Sequence, residues 1–515
     1  MTGEIRWDSN LERHSKRSGS LPRSSWKIGF VAASILVTLV GPLRAQNARI
    51  DADEVIRKAQ AVIGGAAVRS MQVRGVGPGS LFGQAFEPGF AWPKVTYTSL
   101  TRALDFENNS YREDATRTRG ELRGGGATPP FGQGDLLTIG LLKDGVSWNT
   151  VGPFVGPAPV LLEARINDLW TTSPQGALLA AKRYGAVAEN GVGDGQTFTT
   201  LSFTIPRTLK AVVWVNSAGF VTRIDSKVPN AVLGDSDVVT QFEDYRDVAG
   251  LKFPMHLRQS QAGTEVFDIA VQDVKVDLPL RLDMPAGVRG AKPPIAVQNA
   301  GSGVWFLEGP THNSVAIEMK DQIVLVESPM FDGYAEQIFL AANALVAGKR
   351  VGTVIATHHH FDHAGGLRYA AAQGATIMVS SLALPYYESI FANPNTIAPD
   401  QLATSGRKPV LVGVGEGKVL SDDMQQIEIH EVRDSLHARG FLMVYLPKDR
   451  ILVEGDPFHI RPPTSPALAL PVGSEVNLVE NLDRLKLRVD TILPLHFHAL
   501  TGKELQARTE RLLQK

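Results

Sequence analysis

Six consecutive residues in the C-terminal half of the chain combine four histidines with a carboxylate. They read HHHFDH and run from His358 to His363. Alternate residues of an extended loop face the same side, so several of these side chains can converge while His359 faces away. Imidazole and carboxylate groups are ligands for zinc and for iron. The pattern therefore predicts four metal ligands in this loop, namely His358, His360, Asp362 and His363.

Three more candidate ligands follow downstream, each after an apolar strand or its turn. They are His437, Asp456 and His496. The chain has no cysteine, so a thiolate ligand and a cysteine nucleophile are excluded. Seven nitrogen and oxygen ligands suffice for two metal ions, which can share a water and lower its pKa from about 15.7 towards 7. Asp362 is the expected proton carrier, because a carboxylate beside that water can accept its proton.

The elements around the histidine run predict a layered α/β unit. Apolar strands precede a helix near Ala335 to Val346, and a further buried strand leads directly into the histidines. Gly365-Gly366 then opens the next helix. A loop at the carboxyl end of a buried strand is where such sheets place chemistry. The expected strands are Val304 to Leu307, Ser314 to Met319, Ile323 to Glu327 and Val351 to Ala356.

The segment that precedes this unit predicts a mostly antiparallel β domain with an N-terminal helix over Ile50 to Ile63. From Val73 to about Leu280, short alternating runs are separated by turn residues, as expected for strands with one wet face. Pro293-Pro294 indicates a linker. The predicted units are residues 46–290 for the β domain, 291–302 for the linker and 303–515 for the catalytic domain. The expected strands include Thr197 to Ile205, Lys210 to Val215, Val221 to Val228, Val238 to Tyr245, Met255 to Gln259 and Glu265 to Val276.

The N-terminus has the pattern of an export signal or an uncleaved anchor. A basic, polar stretch is followed by the apolar run Ile28 to Val40, and Gly41-Pro42 then breaks the helix. The run is shorter than the roughly 20 residues that span a bilayer. We expect residues 1–45 to be a signal peptide cleaved after Ala45, which would place the body outside the cytoplasm, in the periplasm. Membrane association through this segment is the alternative.

The seven ligands, in this order, resemble the metallo-β-lactamase superfamily over essentially all of residues 301–515. THNSVA (Thr311 to Ala316), THHHFDHAGGL (Thr357 to Leu367) and FLMVYLP (Phe441 to Pro447) are similar to its exported members. The resemblance implies an αββα sandwich and, usually, two zinc ions. Carried over by position, it implies these roles: His358, His360 and His437 on the first metal; Asp362, His363 and His496 on the second; Asp456 bridging both.

Bridging Asp456 resembles the glyoxalase II, lactonase and phosphodiesterase branches, whereas β-lactamases of this fold generally lack a carboxylate there. The expected function is hydrolysis of an ester, thioester, lactone or amide by zinc-bound hydroxide. β-Lactam hydrolysis is a second possibility. Some relatives hold a single iron and oxidise persulfides, which is a third. A lipid-binding module with a vestigial metal site is a fourth, because Phe242 to Leu280 resembles the meander of periplasmic lipoprotein carriers (LolA-like).

The other histidines are weaker candidates. His498 also follows the last strand, but the spacing favours His496; the superfamily usually has glycine after this final histidine, where Phe497 stands here. His312 and His459 could face the cleft, with a structural role favoured. Tyr386 and Tyr387 suggest a shaped rim for substrate. The remaining histidines are expected to have no catalytic role, and they are His14, His256 and His430.

Composition limits the partners. The chain has 515 residues, a formal net charge of −1, 43% hydrophobic and 20% charged residues. These values are typical of a soluble globular protein with more than one domain. No long basic stripe with interleaved aromatic residues is present, so nucleic acid is not an expected partner. The expected partner is a small-molecule substrate.

Overall fold

The computed structural model describes residues 50–513, apart from 122, 126–134, 153, 194, 290–291 and 459–472. The predicted leader, residues 1–45, lies outside these ranges, and so does His459. Within the described ranges, no helix combines the length and the apolar character needed to cross a bilayer.

The N-terminal part of the described chain forms one sheet of 13 strands, paired antiparallel throughout. Strand β1 (Ser70–Ser80) lies between β2 (Lys94–Asp105) and β13 (Thr264–Val276), so the first and last strands meet in the middle of the sheet. The strands are β1 (Ser70–Ser80), β2 (Lys94–Asp105), β3 (Ser110–Arg119), β4 (Leu136–Lys143), β5 (Val146–Val151), β6 (Phe154–Pro157), β7 (Val187–Gly193), β8 (Gln196–Ile205), β9 (Leu209–Asn216), β10 (Val221–Asn230), β11 (Gly234–Val248), β12 (Leu251–Gln261) and β13 (Thr264–Val276). The predicted antiparallel β domain is therefore confirmed.

Three helices pack on this sheet, α1 (Ala52–Ile63), α2 (Leu162–Thr171) and α3 (Pro174–Arg183). Asp51 caps the N-terminus of the predicted helix α1, because its carboxylate accepts from the backbone amides of Asp53 and Glu54. Gly64, with φ 75°, caps the C-terminus. The sequence did not predict α2. Its buried face includes Arg165 and Asn167, which interrupt the apolar period and are held by buried hydrogen bonds. Two short 3-10 turns cover Pro159–Leu161 and Ala286–Val288.

The C-terminal part is a sandwich of two sheets. The first sheet has seven strands: the first four pair antiparallel, and the fourth begins a run of four parallel strands. In the second sheet, β24 (Ile451–Glu454) and β25 (Thr491–Pro494) are the parallel pair. The first sheet contains β14 (Ala296–Gly301), β15 (Val304–Glu308), β16 (Ser314–Glu318), β17 (Ile323–Val326), β18 (Val351–Ile355), β19 (Thr376–Ser380) and β20 (Val410–Val414). The second contains β21 (Gly417–Ser421), β22 (Gln426–Glu431), β23 (Leu442–Leu446), β24 (Ile451–Glu454), β25 (Thr491–Pro494) and β26 (Leu500–Thr501).

Apolar side chains fill the space between the two sheets and also lie beneath the helices on the outer faces. Phe306 of the first sheet and Val453 of the second belong to the central core, whereas Ile338 and Leu478 anchor helices on opposite outer faces. The helices are α4 (Asp332–Asn343), α5 (Phe361–Ala364), α6 (Leu367–Ala372), α7 (Leu384–Ala392), α8 (Gln401–Ser405), α9 (Gly473–Leu485) and α10 (Gly502–Leu513). This is the predicted αββα sandwich.

The segment predicted as a linker, residues 291–302, is not irregular throughout. Ala296–Gly301 forms the edge strand β14 and pairs with β15. The alternation of small and polar residues there gave no apolar signal, because an edge strand with both faces exposed needs no buried stripe.

Candidate metal centre

The candidate ligands lie at the carboxyl ends of the parallel strands. The histidine run follows β18, which is parallel to β17, and Asp456 and His496 follow the parallel pair β24 and β25. His437 lies in the loop between β22 and β23. Parallel strands end at the same edge of a sheet, so the two layers present these loops to each other. The sequence prediction of where the chemistry lies is supported by this topology.

Gly365 and Gly366 allow the loop of the histidine run to pack closely against residues 328–330, which follow strand β17. A Cβ at Gly365 would lie 1.9 Å from the carbonyl oxygen of Met330, so a side chain there would force the backbone of one of the two segments to shift. The Met330 amide donates to the Asp362 carbonyl at 2.8 Å, and the Gly366 amide donates to the Ser328 carbonyl at 3.0 Å. Helix α6 begins directly after Gly366, as predicted. The turn therefore fixes the backbone that carries four of the candidate ligands.

The first group of converging atoms comes from three histidines. His358 Nε2 lies 2.9 Å from His360 Nδ1 and 3.2 Å from His437 Nε2. His358 Nε2 thus faces two nitrogens, but a neutral ring nitrogen is either one donor or one acceptor, so one N–H···N hydrogen bond cannot satisfy all three atoms. A cation between them satisfies all three. This group matches the set predicted for the first metal.

The second group contains Asp362, His363 and His496, the set predicted for the second metal. His363 Nε2 lies 3.1 Å from His496 Nε2 and 3.7 Å from Asp362 Oδ2. His363 is fully buried, whereas the Asp362 side chain is 31% exposed. Solvent therefore reaches the cluster on the side of Asp362.

Asp456 lies between the two groups. Its Oδ2 atom is 2.9 Å from His363 Nε2 and 3.4 Å from the Nε2 atoms of both His358 and His437. Its Oδ1 atom is 3.2 Å from His496 Nε2. Despite these contacts, Oδ2 is buried without a hydrogen bond of acceptable geometry among the described residues. A buried carboxylate oxygen aimed at several nitrogen lone pairs is the arrangement expected of a ligand that bridges two cations.

Burial and charge set the protonation of the cluster. Burial holds the pKa of the His358 and His360 imidazoles well below the ordinary value, which leaves their nitrogens free to bind a cation. Burial alone would raise the pKa of Asp456, but the charges of His437, His363 and His496 outweigh it and hold that pKa well below its usual range. Burial opposes protonation of His363 as well, but the charges of Asp456 and Asp362 outweigh it and raise the pKa of His363 well above its ordinary value. A cation bound by His363 would therefore have to displace a proton.

Each imidazole of His358, His363 and His496 has one ring nitrogen that points away from the cluster, here called its rear nitrogen, and hydrogen bonds hold it. Glu327 Oε2 accepts from Thr357 Oγ1 at 2.6 Å and from His363 Nδ1 at 3.1 Å. Thr357 Oγ1 is 3.0 Å from His358 Nδ1, and His496 Nδ1 donates to the Thr311 carbonyl at 3.2 Å. With a proton on each rear nitrogen, the nitrogen that faces the cluster presents its lone pair. Glu327, His358 and His363 also form a possible three-ligand group. However, His363 Nδ1 already bonds to Glu327 and His358 Nδ1 to Thr357.

Glu327 is a functional residue that the sequence did not predict. It is fully buried and follows β17 with φ 75°, a conformation unusual outside glycine. The available signal was a carboxylate at the end of the apolar strand IVLV, next to the strand that leads into the histidines.

His312 lies closer to the cluster than its weak sequence signal indicated. It is buried, its Nε2 atom is 3.2 Å from Asp362 Oδ2, and its ring lies 4.3 Å from that of His496. Burial lowers its pKa to about 4, so the ring is neutral and donates to Asp362. Tyr334 holds the His312 backbone by accepting from its amide and donating to its carbonyl. His312 therefore orients Asp362.

Four other histidines lie in the part of the chain that the structure describes. His359 is buried, belongs to neither group of converging atoms, and has its Nε2 atom 2.9 Å from the Ala85 carbonyl. His498 is 76% exposed and bonds to Glu308, so His496 is the histidine that reaches the cluster. His256 and His430 lie in strands β12 and β22, as expected.

Tyr387, in helix α7, and Phe497, which follows strand β25, lie next to candidate ligands. The prediction of a tyrosine rim is wrong for Tyr387, which is fully buried and donates to the His358 carbonyl at 3.1 Å. Phe497, which stands where the superfamily usually has glycine, adopts φ 63°. This is a left-handed conformation, which glycine adopts easily and which costs about 1–2 kcal/mol for a residue with a Cβ.

Residues 308–496 match the family model described as the metallo-beta-lactamase superfamily. This part of the chain belongs to that superfamily. The matched segment contains all seven candidate ligands. Together, superfamily membership and the His/Asp cluster support a metal-dependent hydrolase. The match does not extend to the N-terminal sheet, for which the resemblance to lipoprotein carriers stays a prediction.

Solved structures similar to this chain include metallo-β-lactamases. One from Pontibacter korlensis is 17% identical, covers 43% of this chain and 100% of its own, and has a TM-score of 0.33. The enzyme FIM-1 from Pseudomonas aeruginosa, in its mono-zinc form, is 20% identical, covers 43% of this chain and 95% of its own, and has a TM-score of 0.32. No curated protein matches the chain significantly.

Proposed function

We propose that this protein is a dinuclear zinc hydrolase that cleaves an ester, thioester, lactone or amide. The observation that carries the proposal is the position of Asp456, whose two oxygens face nitrogens of both ligand groups. A single cation would use one group and leave the other set of facing nitrogens unsatisfied. When bound, two ions would supply a water of lowered pKa and would polarise the scissile carbonyl.

The protein's own residues supply the proton transfers. Asp362 is the most exposed carboxylate of the cluster, and His312 holds its Oδ2 atom. From this position Asp362 can accept the proton of an attacking water and return it to the leaving group. The two ligand groups consist of histidine and aspartate side chains, and the proposed nucleophile is a water, so the proposal needs no covalent intermediate. Developing negative charge on the substrate would be met by the cations rather than by a side chain.

The test is a substrate panel combined with one variant. Purified zinc-loaded protein is assayed on thioesters, lactones, carboxylic esters, amides, β-lactams and phosphodiesters. Asp362→Ala should lower kcat on the best substrate by about 10²- to 10⁴-fold, the usual contribution of general acid–base catalysis, while metal content changes less. The matched control is Asp490→Ala, which removes an exposed carboxylate that pairs with Arg450.

Three results would contradict the proposal. Full activity of Asp362→Ala would show that this carboxylate is not part of the reaction. Turnover of β-lactams alone would place the protein among β-lactamases. Purification with one iron per chain, together with oxidation of a persulfide, would replace hydrolysis by dioxygenation, since the same nitrogen and oxygen ligands suit iron.

We also propose that the protein is exported to the periplasm. The basic stretch, the apolar run Ile28 to Val40 and the break at Gly41-Pro42 support export. Mass spectrometry of the native N-terminus tests it: a mature chain that starts at Gln46 is expected, and a chain that retains residues 1–45 in the cytoplasm would contradict it.

A further inference from the structure

The loop between β1 and β2 of the N-terminal sheet reaches the metal centre of the sandwich. Residues 82–87 of this loop, here called the roof segment, make three kinds of contact with the histidine run. The Gln84 side-chain amide donates to Asp362 Oδ1 at 2.9 Å. The Ala85 carbonyl lies 2.9 Å from His360 Nε2 and 2.9 Å from His359 Nε2. The Phe361 amide donates to the Gly83 carbonyl at 3.2 Å.

The bond to the Ala85 carbonyl determines which nitrogen of His360 can bind a metal. A carbonyl only accepts, so His360 must carry its proton on Nε2. Nδ1, which faces His358 Nε2, then presents its lone pair to the first group. The rear nitrogens of His358, His363 and His496 are held within the sandwich. His360 alone among these four has its rear nitrogen held by the N-terminal sheet.

Gln84 acts in the same way on Asp362. Its amide occupies Oδ1 while His312 occupies Oδ2, so one donor comes from each part of the chain. Two donors fix the plane of the carboxylate and lower its freedom to rotate. Gln84 is therefore a candidate positioning residue for the proposed proton carrier.

A second segment of the N-terminal sheet, residues 123–125, lies on the loop that carries His437. The Gly124 amide donates to the Leu436 carbonyl at 3.1 Å. On the other side of His437, the Arg439 amide donates to the Phe86 carbonyl of the roof segment at 2.8 Å. The Arg439 guanidinium also pairs with Glu87 at 3.2 Å. The backbone of His437 is thus held from both sides.

The fit at Gly125 is tight enough to exclude a side chain. A Cβ there would lie 2.1 Å from His360 Cε1 and 2.4 Å from its Nδ1 atom, the nitrogen that faces the first group. Aromatic packing supports the roof segment from behind, because Phe82 meets Phe361 edge-on with ring centroids 5.1 Å apart. The contact surface is therefore close-packed, and small changes in it move a candidate ligand.

From these contacts we infer that the N-terminal sheet completes the metal centre. The roof segment and residues 123–125 position His360, His437 and Asp362, so two of the three ligands of the first metal depend on a part of the chain outside the metallo-β-lactamase match. The inference rests on the proposed function, since it assumes that the cluster binds metal. It gives the N-terminal sheet a role in the chemistry that is independent of any lipid binding.

The experiment compares Co²⁺ binding by the full chain and two pairs of variants. Gly125→Ala places a methyl group against His360 and against the Gln84 side-chain oxygen. Gly120→Ala is its matched control because a Cβ there meets nothing within 4 Å. Gln84→Ala removes the bond to Asp362, and Gln72→Ala in strand β1 is its control. Co²⁺ is titrated and its d–d absorption recorded, with circular dichroism and the melting temperature of each metal-free variant as checks on folding.

Wild type and both controls should bind two Co²⁺ with the same spectrum. Gly125→Ala should bind one Co²⁺ at least 10-fold more weakly, the size expected for loss of a partner behind a ligand. Gln84→Ala should keep two Co²⁺ but show a shifted d–d band and a lower kcat at unchanged KM. If Gly125→Ala does not fold, the Gln84 pair alone decides. If the folded variants keep the wild-type Co²⁺ affinity and spectrum, the inference about the N-terminal sheet is overturned, whereas the proposed function is not. A wild type that binds no Co²⁺ would instead overturn the proposed function.

Discussion

Single residues behind the ligands set the chemistry of this site. Glu327 carries a buried carboxylate that accepts from both Thr357 and His363, and through Thr357 it also reaches His358. One residue therefore holds a ligand of each group. Groups behind the ligands fix the tautomer and raise the basicity of the imidazoles, so their loss is felt as weaker metal binding.

Replacing Glu327 tests that role directly. Glu327→Gln keeps the size of the side chain but removes its charge, so it should weaken metal affinity about 10- to 100-fold. Competition with a chromophoric chelator measures the affinity. Glu318→Gln is the control, because this carboxylate lies on strand β16 and pairs with Lys349. Equal affinities of the Glu327 variant and the control would show that Glu327 does not support the ligands.

At the scale of elements, the sequence predicted those parts of the site that depend on local pattern. The apolar strand before the histidine run and the Gly365-Gly366 turn have local signatures, and both lie where expected. The alternation of strands and helices predicted a layered α/β unit, and the superfamily resemblance implied the αββα sandwich that the structure has. Helices α2 and α3 were both missed because their buried faces are partly polar, with Arg165 and Asn167 in α2 and Gln175 in α3. The edge strand β14 was missed because it is exposed on both faces.

The contacts of Ala85 and Gln84 could not be predicted in this way. They join residues 275 and 278 positions apart in the chain, and neither a carbonyl oxygen nor a lone glutamine has a sequence signature. Glu327 was missed for a related reason, since its partners Thr357 and His363 lie 30 and 36 positions away in the chain. Packing between distant elements, rather than local pattern, determines these positions.

Within the N-terminal sheet, His256 makes stability depend on pH. It lies on β12 between β11 and β13, where Asp268 and Glu243 both accept from its ring. The bond to Asp268, together with the charges of both carboxylates, raises the pKa of His256 above 6.5, although burial opposes this. Arg258 also pairs with Glu243. A raised folded pKa means that the charged ring stabilises the fold below about pH 6.5 and that this contribution is lost as the pH rises through the folded pKa.

His256→Gln should therefore lower the melting temperature more at pH 5.5 than at pH 8.5. Thermal unfolding of wild type and variant at both values measures the difference, and the metal centre contributes equally to both proteins. A difference between the two proteins that is the same at both pH values would contradict the assignment.

At the scale of the whole molecule, one chain builds its candidate centre from two architectures. The sandwich supplies all seven candidate ligands from the ends of parallel strands and adjoining loops. The N-terminal sheet contacts three of them or their flanking backbone through residues 82–87 and 123–125. Cation binding should stabilise this arrangement as a unit, by about 2.7 kcal/mol when free metal is at 100 times its dissociation constant.

The number of metal ions per chain tests the central claim most directly. The full chain is purified without added metal, reconstituted with zinc, freed of excess by gel filtration and analysed by inductively coupled plasma mass spectrometry. Two arrays of converging nitrogens with Asp456 between them predict two equivalents of zinc. Asp456→Ala should retain one equivalent or fewer. A wild-type protein that holds a single metal ion, or none, would contradict the account.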